Sequence, residues 1–94
     1  MITVHLPGDL AQDIGADRRL ALPWPQGAGD AGAVLDALHA MYPAMRGRVT
    51  EADGAVRRHI NLYVGEQDAR RAQGLATPVP DGTEVWLLKA VSGG

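Results

Sequence analysis

DGTEVWLLKAVSGG, the stretch from residue 81 to residue 94, contains a turn, an apolar run and a pair of glycines. Pro80-Asp81-Gly82 is typical of a turn, since proline presets φ and glycine adopts positive φ without strain. The apolar residues 85–90 that follow predict a buried strand. Glycine has no Cβ, so the final residues, 91–94, can form a thin and conformationally free tail. We therefore predict a rigid domain, residues 1–90, whose tail can enter a narrow channel.

Three other segments alternate apolar and polar residues with the period of two that is typical of half-buried strands. The first strand is predicted at residues 2–6, the second at 18–22 and the third at 59–64. Residues 10–17 predict a polar connection, so that the first two strands form a hairpin with a wide loop. A short edge strand or an irregular segment is predicted for residues 69–77.

One amphipathic helix is predicted over residues 31–42. Asp30 is a favourable N-cap, because its side chain can accept from the free N–H groups of the first turn. Pro43 sets the end, since the residue before a proline disfavours helical backbone. The apolar stripe consists of Val34, Leu35, Leu38, Met41 and Tyr42. The order of elements predicts an α+β roll, in which a mixed sheet of four to five strands curls over one main helix.

Composition limits the possible functions of the chain. Its 94 residues are enough for one domain with a modest, mainly aliphatic core. There is no cysteine, which excludes disulfides, thiolate metal sites and a cysteine nucleophile. A net charge of −2 with no basic run argues against nucleic acid binding, and no apolar run approaches membrane-spanning length. No secretory signal is visible, so we expect a cytoplasmic protein without nucleic acid or membrane partners.

The titratable residues show no pattern typical of a catalytic or metal site. His5, His39 and His59 lack the spacing of metal ligands, so we interpret all three as surface or boundary residues. The acidic residues are scattered. The basic pairs at 57–58 and 70–71 are interpreted as solvated charges near the third strand. We therefore predict no metal and no bound cofactor.

The sequence resembles the ubiquitin-like sulfur carriers of the ThiS/MoaD family. The residues that carry the resemblance are Asp81-Gly82, Glu84-Val85 and the ending Val91-Ser92-Gly93-Gly94. Among these carriers the chain looks most like the cysteine-biosynthesis carrier, with a long insertion before His59 and the runs at 61–64 and 74–77. The molybdopterin-synthase subunit usually has two prolines where this chain has Lys89-Ala90. The resemblance implies the β-grasp fold, with the final strand in the centre of the sheet beside the first.

The resemblance also implies a function for Gly94. A carboxylate reacts with sulfur nucleophiles only after one oxygen becomes a leaving group, and adenylation with ATP by a partner enzyme would supply one. The product would be a C-terminal thiocarboxylate that donates sulfur to a biosynthetic enzyme. The chain would then be a carrier and not an enzyme. Three alternatives stay open: a protein modifier, the molybdopterin-synthase subunit, and an interaction domain whose tail, Ser92 and Gly93 included, plugs a partner.

A docking surface is predicted on the outer face of the sheet. Alternation along the last strand should turn Val85 and Leu87 toward the helix and the residues between them outward. The predicted partner-binding residues are Trp86, Leu88, Tyr63 and Val91, with His5 on the same face. Clustered outward apolar residues are typical of interaction sites. A one-residue bulge would instead turn Trp86 into the core.

Overall fold

The computed structural model describes residues 1–24 and 29–90, which include all of the predicted strands and the predicted helix. The strands are β1 (Ile2–His5), β2 (Arg19–Leu22), β3 (Ile60–Val64), β4 (Gln67–Asp68) and β5 (Glu84–Lys89). The α-helices are α1 (Gly8–Ile14) and α2 (Ala31–Met41). Short 3₁₀ helices cover Pro43–Met45, Ala69–Arg71 and Gly74–Ala76. The predicted tail, residues 91–94, lies outside the described residues.

The sheet has the strand order β2-β1-β5-β3-β4. The last strand, β5, is therefore central, parallel to β1 on one side and antiparallel to β3 on the other. This arrangement confirms the prediction that the final strand lies beside the first. The predicted hairpin is also confirmed, since β1 and β2 pair antiparallel with Val4 opposite Leu20.

The core lies between the sheet and α2. Val4, Val85 and Leu87 from the central strands share one buried cluster with Val34 and Leu38 from the helix, and all five are inaccessible to solvent. Burying a leucine or valine side chain contributes roughly 1.5–3 kcal/mol, so this aliphatic cluster is the main source of stability.

The start of α2 follows the prediction closely. Asp30 is the N-cap, and its Oδ1 accepts from the Ala33 N–H at 2.9 Å. The N–H of Ala31 donates to the Thr77 carbonyl at 2.9 Å, which ties the helix to the segment before β5. The indole of Trp24 donates to the Val79 carbonyl at 2.8 Å and is buried over the same segment.

The connection predicted for residues 10–17 is wrong, because the structure has helix α1 there. Leu10 and Ala11 are buried and Ile14 packs against the core. Gly15 ends the helix at φ +72°, a conformation that glycine adopts without strain. Helix α1 has seven residues and therefore only two turns. Two turns are too short for the helical spacing of its apolar residues to be recognised in the sequence.

The edge strand also lies earlier than predicted. Strand β4 is Gln67–Asp68, and residues 69–77 form two 3₁₀ helices, so the irregular alternative was correct for that segment. Gly65 has φ +60° and makes the tight turn between β3 and β4. A two-residue strand is too short for alternation to indicate it.

The stripe on α2 is rotated from the predicted one. Met41 is 49% exposed, whereas His39, predicted at the surface, is only 7% exposed. At 100° per residue the buried arc is centred near Leu35 and Leu38, which places His39 inside it and Met41 just outside. The segment after α2 then folds back over the helix, and its Met45 and Val49 are fully buried. The helix is thus covered on a second side.

Across the described ranges, no helix is long and apolar enough to cross a membrane. The same residues contain no group of three or more histidine or acidic side chains that could hold a metal ion.

Candidate docking surface

The two faces of β5 differ sharply in solvent exposure. Val85 and Leu87 are fully buried, whereas Trp86 is 36% exposed and Leu88 41% exposed. The strand pairs in continuous register with β3 from Ile60 to Val64, without a bulge that could turn the indole inward. The predicted outward orientation of Trp86 and Leu88 is therefore confirmed.

Cross-strand pairing gathers the other predicted residues around Trp86. His5 on β1 and Tyr63 on β3 are its direct partners on the two neighbouring strands. Side chains at paired positions lie on the same face of a sheet and contact one another. We call His5, Tyr63, Trp86 and Leu88 the outer patch. It lies on the opposite side of the sheet from α2.

The indole of Trp86 is held against its neighbour. Its ring stacks on the imidazole of His5, with centroids 3.6 Å apart and planes 7° from parallel. The Nε2 of His5 lies 2.7 Å from Oε1 of Glu84, a hydrogen bond that fixes the plane of the imidazole. A side chain that is ordered before binding loses less entropy when a partner covers it. The outer patch is thus preorganised.

Arg70, one member of the basic pairs, is exposed as predicted and also has a structural role. The guanidinium of Arg70 donates to Asn61 Oδ1 at 2.9 Å and to the carbonyls of Arg57 and Ile60 at 2.9 and 2.8 Å. These bonds connect the 3₁₀ helix after β4 to the start of β3. Arg70 is therefore hydrogen-bonded within the fold although it is exposed, as is its neighbour Arg71.

The end of β5 is anchored until the last described residue. The Ala90 N–H donates to the His59 carbonyl at 2.8 Å, and the Lys89 ammonium pairs with the Asp9 carboxylate of α1. The lysine hydrogen bond lowers the pKa of Asp9. Val91, Ser92, Gly93 and Gly94 follow directly and lie outside the described residues. In the sequence, Trp86 and Leu88 of the outer patch therefore precede the predicted reactive end by only a few residues.

Comparison with known proteins decides the family. A profile described as the ThiS family matches residues 11–94, which includes β5 and all of the predicted tail. The chain belongs to the ThiS family. The sulfur carrier protein CysO of Mycobacterium tuberculosis is 34% identical over 96 residues, which cover 99% of this chain and 98% of CysO.

Solved structures agree with the sequence relatives of this ThiS-family chain. The crystal structure of M. tuberculosis CysO has a TM-score of 0.82 at 31% identity and covers 97% of this chain and all of CysO. The BexX/CysO complex of Amycolatopsis orientalis gives 0.82 at 26% identity with full coverage of both chains. The modifier SAMP1 of Haloferax volcanii gives 0.75 at 33% identity and covers 99% and 98%. The ThiS-family chain therefore has the predicted ubiquitin-like β-grasp fold.

Glu84 is the residue of this site that the sequence analysis missed. It lies on the same face as Trp86, two positions earlier, and it orients the imidazole that stacks on the indole. Alternation along β5 was enough to place its side chain outward. Its contact with His5 could not be inferred, because it depends on the parallel register of β1 and β5.

Proposed function

We propose that this chain is a sulfur carrier for the biosynthesis of cysteine or a closely related sulfur metabolite. The similarity to CysO over nearly the full length of both chains carries the proposal. The family match runs through Gly94, which supports an active role for the end of the chain. In this role the protein is a co-substrate of partner enzymes in the cytoplasm and not itself a catalyst.

The chemistry that we propose takes place on the Gly94 carboxylate. A carboxylate oxygen attacks the α-phosphorus of ATP in the active site of an adenylating partner, and pyrophosphate leaves. Sulfide then attacks the carbonyl carbon and AMP leaves, which gives the thiocarboxylate. With a persulfide donor, the same attack gives an acyl disulfide, and a thiol must then reduce its S–S bond to release the thiocarboxylate and a disulfide. A second partner, the sulfur-accepting biosynthetic enzyme, takes the sulfur from it. Glycine at 93 and 94 suits this role because a side chain would widen the tail.

We propose that these partners bind to the outer patch. Trp86 is exposed, stacked and central, and buried tryptophans are the strongest contributors to many protein interfaces. Leu88 continues the apolar surface toward the end of β5. Val91, which lies outside the described residues, is a further proposed contact for the partner. A partner that covers the outer patch would hold the end of β5 in a fixed position, so that the residues that follow could reach its active site. The BexX/CysO complex, in which a relative assembles with another protein, supports binding of this kind.

Intact-mass spectrometry tests the carrier proposal. The chain is co-expressed with the adenylating enzyme of its host, and we expect a mass gain equal to the replacement of one oxygen by one sulfur. A chain without Gly93 and Gly94 is the control and should gain nothing while it unfolds at the same temperature. An unchanged mass in the complete chain, under conditions in which the partner consumes ATP, would contradict the proposal.

The second candidate function is protein modification, and the similarity to SAMP1 favours it. Activation of Gly94 would be the same, but a lysine amine of a target would attack the adenylate or a thioester and form an amide. The chain contains a single lysine, Lys89, whose ammonium pairs with Asp9. Chains of linked copies are therefore disfavoured. In the mass experiment, conjugates of higher mass that depend on Gly94 would indicate the modifier.

The other two alternatives can be read from the same experiment. A molybdopterin-synthase subunit would form the thiocarboxylate and also remain bound to a large partner, although Lys89-Ala90 departs from the usual prolines. An interaction domain would bind a partner tightly and keep an unchanged mass.

A further inference from the structure

Basic side chains collect around the C-terminal end of β5. Arg48, Arg57 and Lys89 line one cleft there. Arg70 reaches the same place from the 3₁₀ helix after β4, because its Nη2 donates to the carbonyls of Arg57 and Arg58 at 2.9 and 3.3 Å. We call the basic residues at this end the basic rim: Arg48, Arg57, Arg58, Arg70 and Lys89.

Carboxylates neutralise only part of the basic rim. Three of its members form ion pairs with carboxylates of α1 and of the connection after α2. The other two, Arg58 and Arg70, are exposed and form no ion pair among the residues that the structure describes. Arg70 donates instead to neutral groups, which are main-chain carbonyls and the amide oxygen of Asn61. The basic rim therefore has a surplus of positive charge.

The opposite end of β5 is acidic. Glu84 is the first residue of the strand, and Asp81 lies in the turn before it. Glu66 is in the turn beside them, since the Gly65 N–H donates to the Glu84 carbonyl at 2.8 Å. All three carboxylates are exposed, and two of them are bonded to groups at the start of the chain, the Met1 ammonium and the His5 imidazole. Charge is thus separated along β5, acidic where the strand begins and basic where it ends.

The basic end is also the end from which the chain continues to Gly94. Lys89 of the basic rim is separated from the predicted tail by a single residue. The rim adjoins the outer patch as well, because Arg70 donates to Asn61, which pairs with Leu88 across the strands. A partner that covers the outer patch and receives the tail would therefore face the basic rim.

We propose that the adenylating partner carries acidic side chains around the entrance that receives the tail, and that the basic rim binds them. This inference rests on the proposed function, because it requires an adenylating partner. Complementary charges steer the encounter of two proteins and act mainly on the association rate constant. The charge separation along β5 turns the carrier so that its basic end meets the partner first.

The association rate constant with the purified adenylating enzyme of the host tests the proposal. It is measured by surface plasmon resonance without ATP, so that no phosphate contributes. At about 0.1 M salt, where charges act over about 10 Å, Arg58→Gln should lower the rate constant about threefold and Arg58→Glu about tenfold. Both effects should vanish at about 1 M salt, where the range is about 3 Å. Arg58→Lys keeps the charge and should associate like the wild type.

Glu66→Gln is the matched control at the acidic end. It changes the net charge by as much as Arg58→Gln does, but in the opposite direction. Glu66 is exposed, forms no ion pair within the described ranges, and lies on the order of 20 Å from the basic rim along the strands. Its charge is therefore screened from a partner at the rim, and the rate constant should stay nearly unchanged.

Three results would overturn the proposal. The first is normal association of both Arg58→Gln and Arg58→Glu. The second is an equal and opposite effect of Arg58→Gln and Glu66→Gln, which would reduce the attraction to net charge. The third is an effect of Arg58→Gln that appears only after ATP is added, which would assign the negative charge to the nucleotide.

A separate readout distinguishes this inference from the proposed function. With the partner, ATP and the sulfur donor, Arg58→Gln should reach the same final mass gain as the wild type. A wild type without the mass gain would contradict the carrier function itself. A normal mass gain together with association that does not depend on Arg58 would refute only the acidic entrance.

Discussion

The inner and outer faces of β5 differ in solvent exposure although their residues alternate along one strand. Val85 and Leu87 are inaccessible to solvent and pack with α2, whereas Trp86 and Leu88 are each more than one third exposed. The inner residues stabilise the domain by removing apolar area from water. The outer residues leave apolar area in water, which soluble proteins tolerate in a cluster mainly where a partner binds. We therefore expect substitutions on the inner face to change stability and substitutions on the outer face to change partner binding.

The largest effect is expected on the inner face. Leu87→Ala should lower the free energy of unfolding by about 2–5 kcal/mol, because it leaves a cavity at the centre of the core. Leu88→Ala is a matched control one position along the strand, and its stability should stay within about 0.5 kcal/mol of wild type. Urea denaturation followed by circular dichroism measures both. Similar losses in the two variants would remove the distinction between the faces.

Trp86→Ala should produce the converse result. We expect the affinity for the adenylating partner to fall by about 2 kcal/mol, roughly thirtyfold, as is typical of a tryptophan at the centre of an interface. The unfolding free energy should change by less than about 1 kcal/mol, since the indole contacts the sheet on one side only. Titration calorimetry with the purified partner and urea denaturation give the two values. Unfolding of this variant would identify Trp86 as a core residue.

The sequence predicted the elements with a long or clear period. Helix α2, its N-cap Asp30 and strand β5 were placed within about two residues of their observed ends, because their residues repeat over several turns or pairs. The outward orientation of Trp86 followed from alternation alone. The resemblance to the sulfur carriers then gave the central position of β5 beside β1, which no local pattern encodes.

The elements that the sequence could not predict depend on few residues or on distant ones. Helix α1 has seven residues and β4 has two, so neither shows a period. The burial of His39 depends on the connection that folds back over α2. The bond of Arg70 to Asn61 depends on the turn between β3 and the 3₁₀ helix. Tertiary context therefore decided the structure at these positions.

The His5 stack offers a finer test of preorganisation. His5→Ala should weaken binding of the adenylating partner by about 0.5–1.5 kcal/mol, the range measured for pairs of stacked rings. Trp86 is still present in this variant, so the loss of affinity should be smaller than in Trp86→Ala. The indole N–H signal of Trp86 should also shift. Thr3→Ala, on the same face of β1, is the control and should leave both affinity and signal unchanged. An unaltered affinity in His5→Ala would show that the stack does not order the patch for binding.

The smallest effect on stability is expected at the C-terminal end of β5. The Lys89 ammonium holds the pKa of the Asp9 carboxyl below its usual value, so the pair adds stability only while Asp9 is ionised. That contribution is present above the ordinary carboxyl pKa and is lost as the pH falls through the lowered one. Asp9→Asn should therefore be slightly less stable than the wild type above the ordinary carboxyl pKa of about 3.9, and the difference should disappear as the pH falls through the lowered pKa. Thermal melts across this range measure the difference, with Asp53→Asn as a control because that carboxylate is in an exposed turn. A difference that grows toward low pH would have the wrong sign for this pair, and the anchoring of β5 would then depend on the Ala90 hydrogen bond to His59.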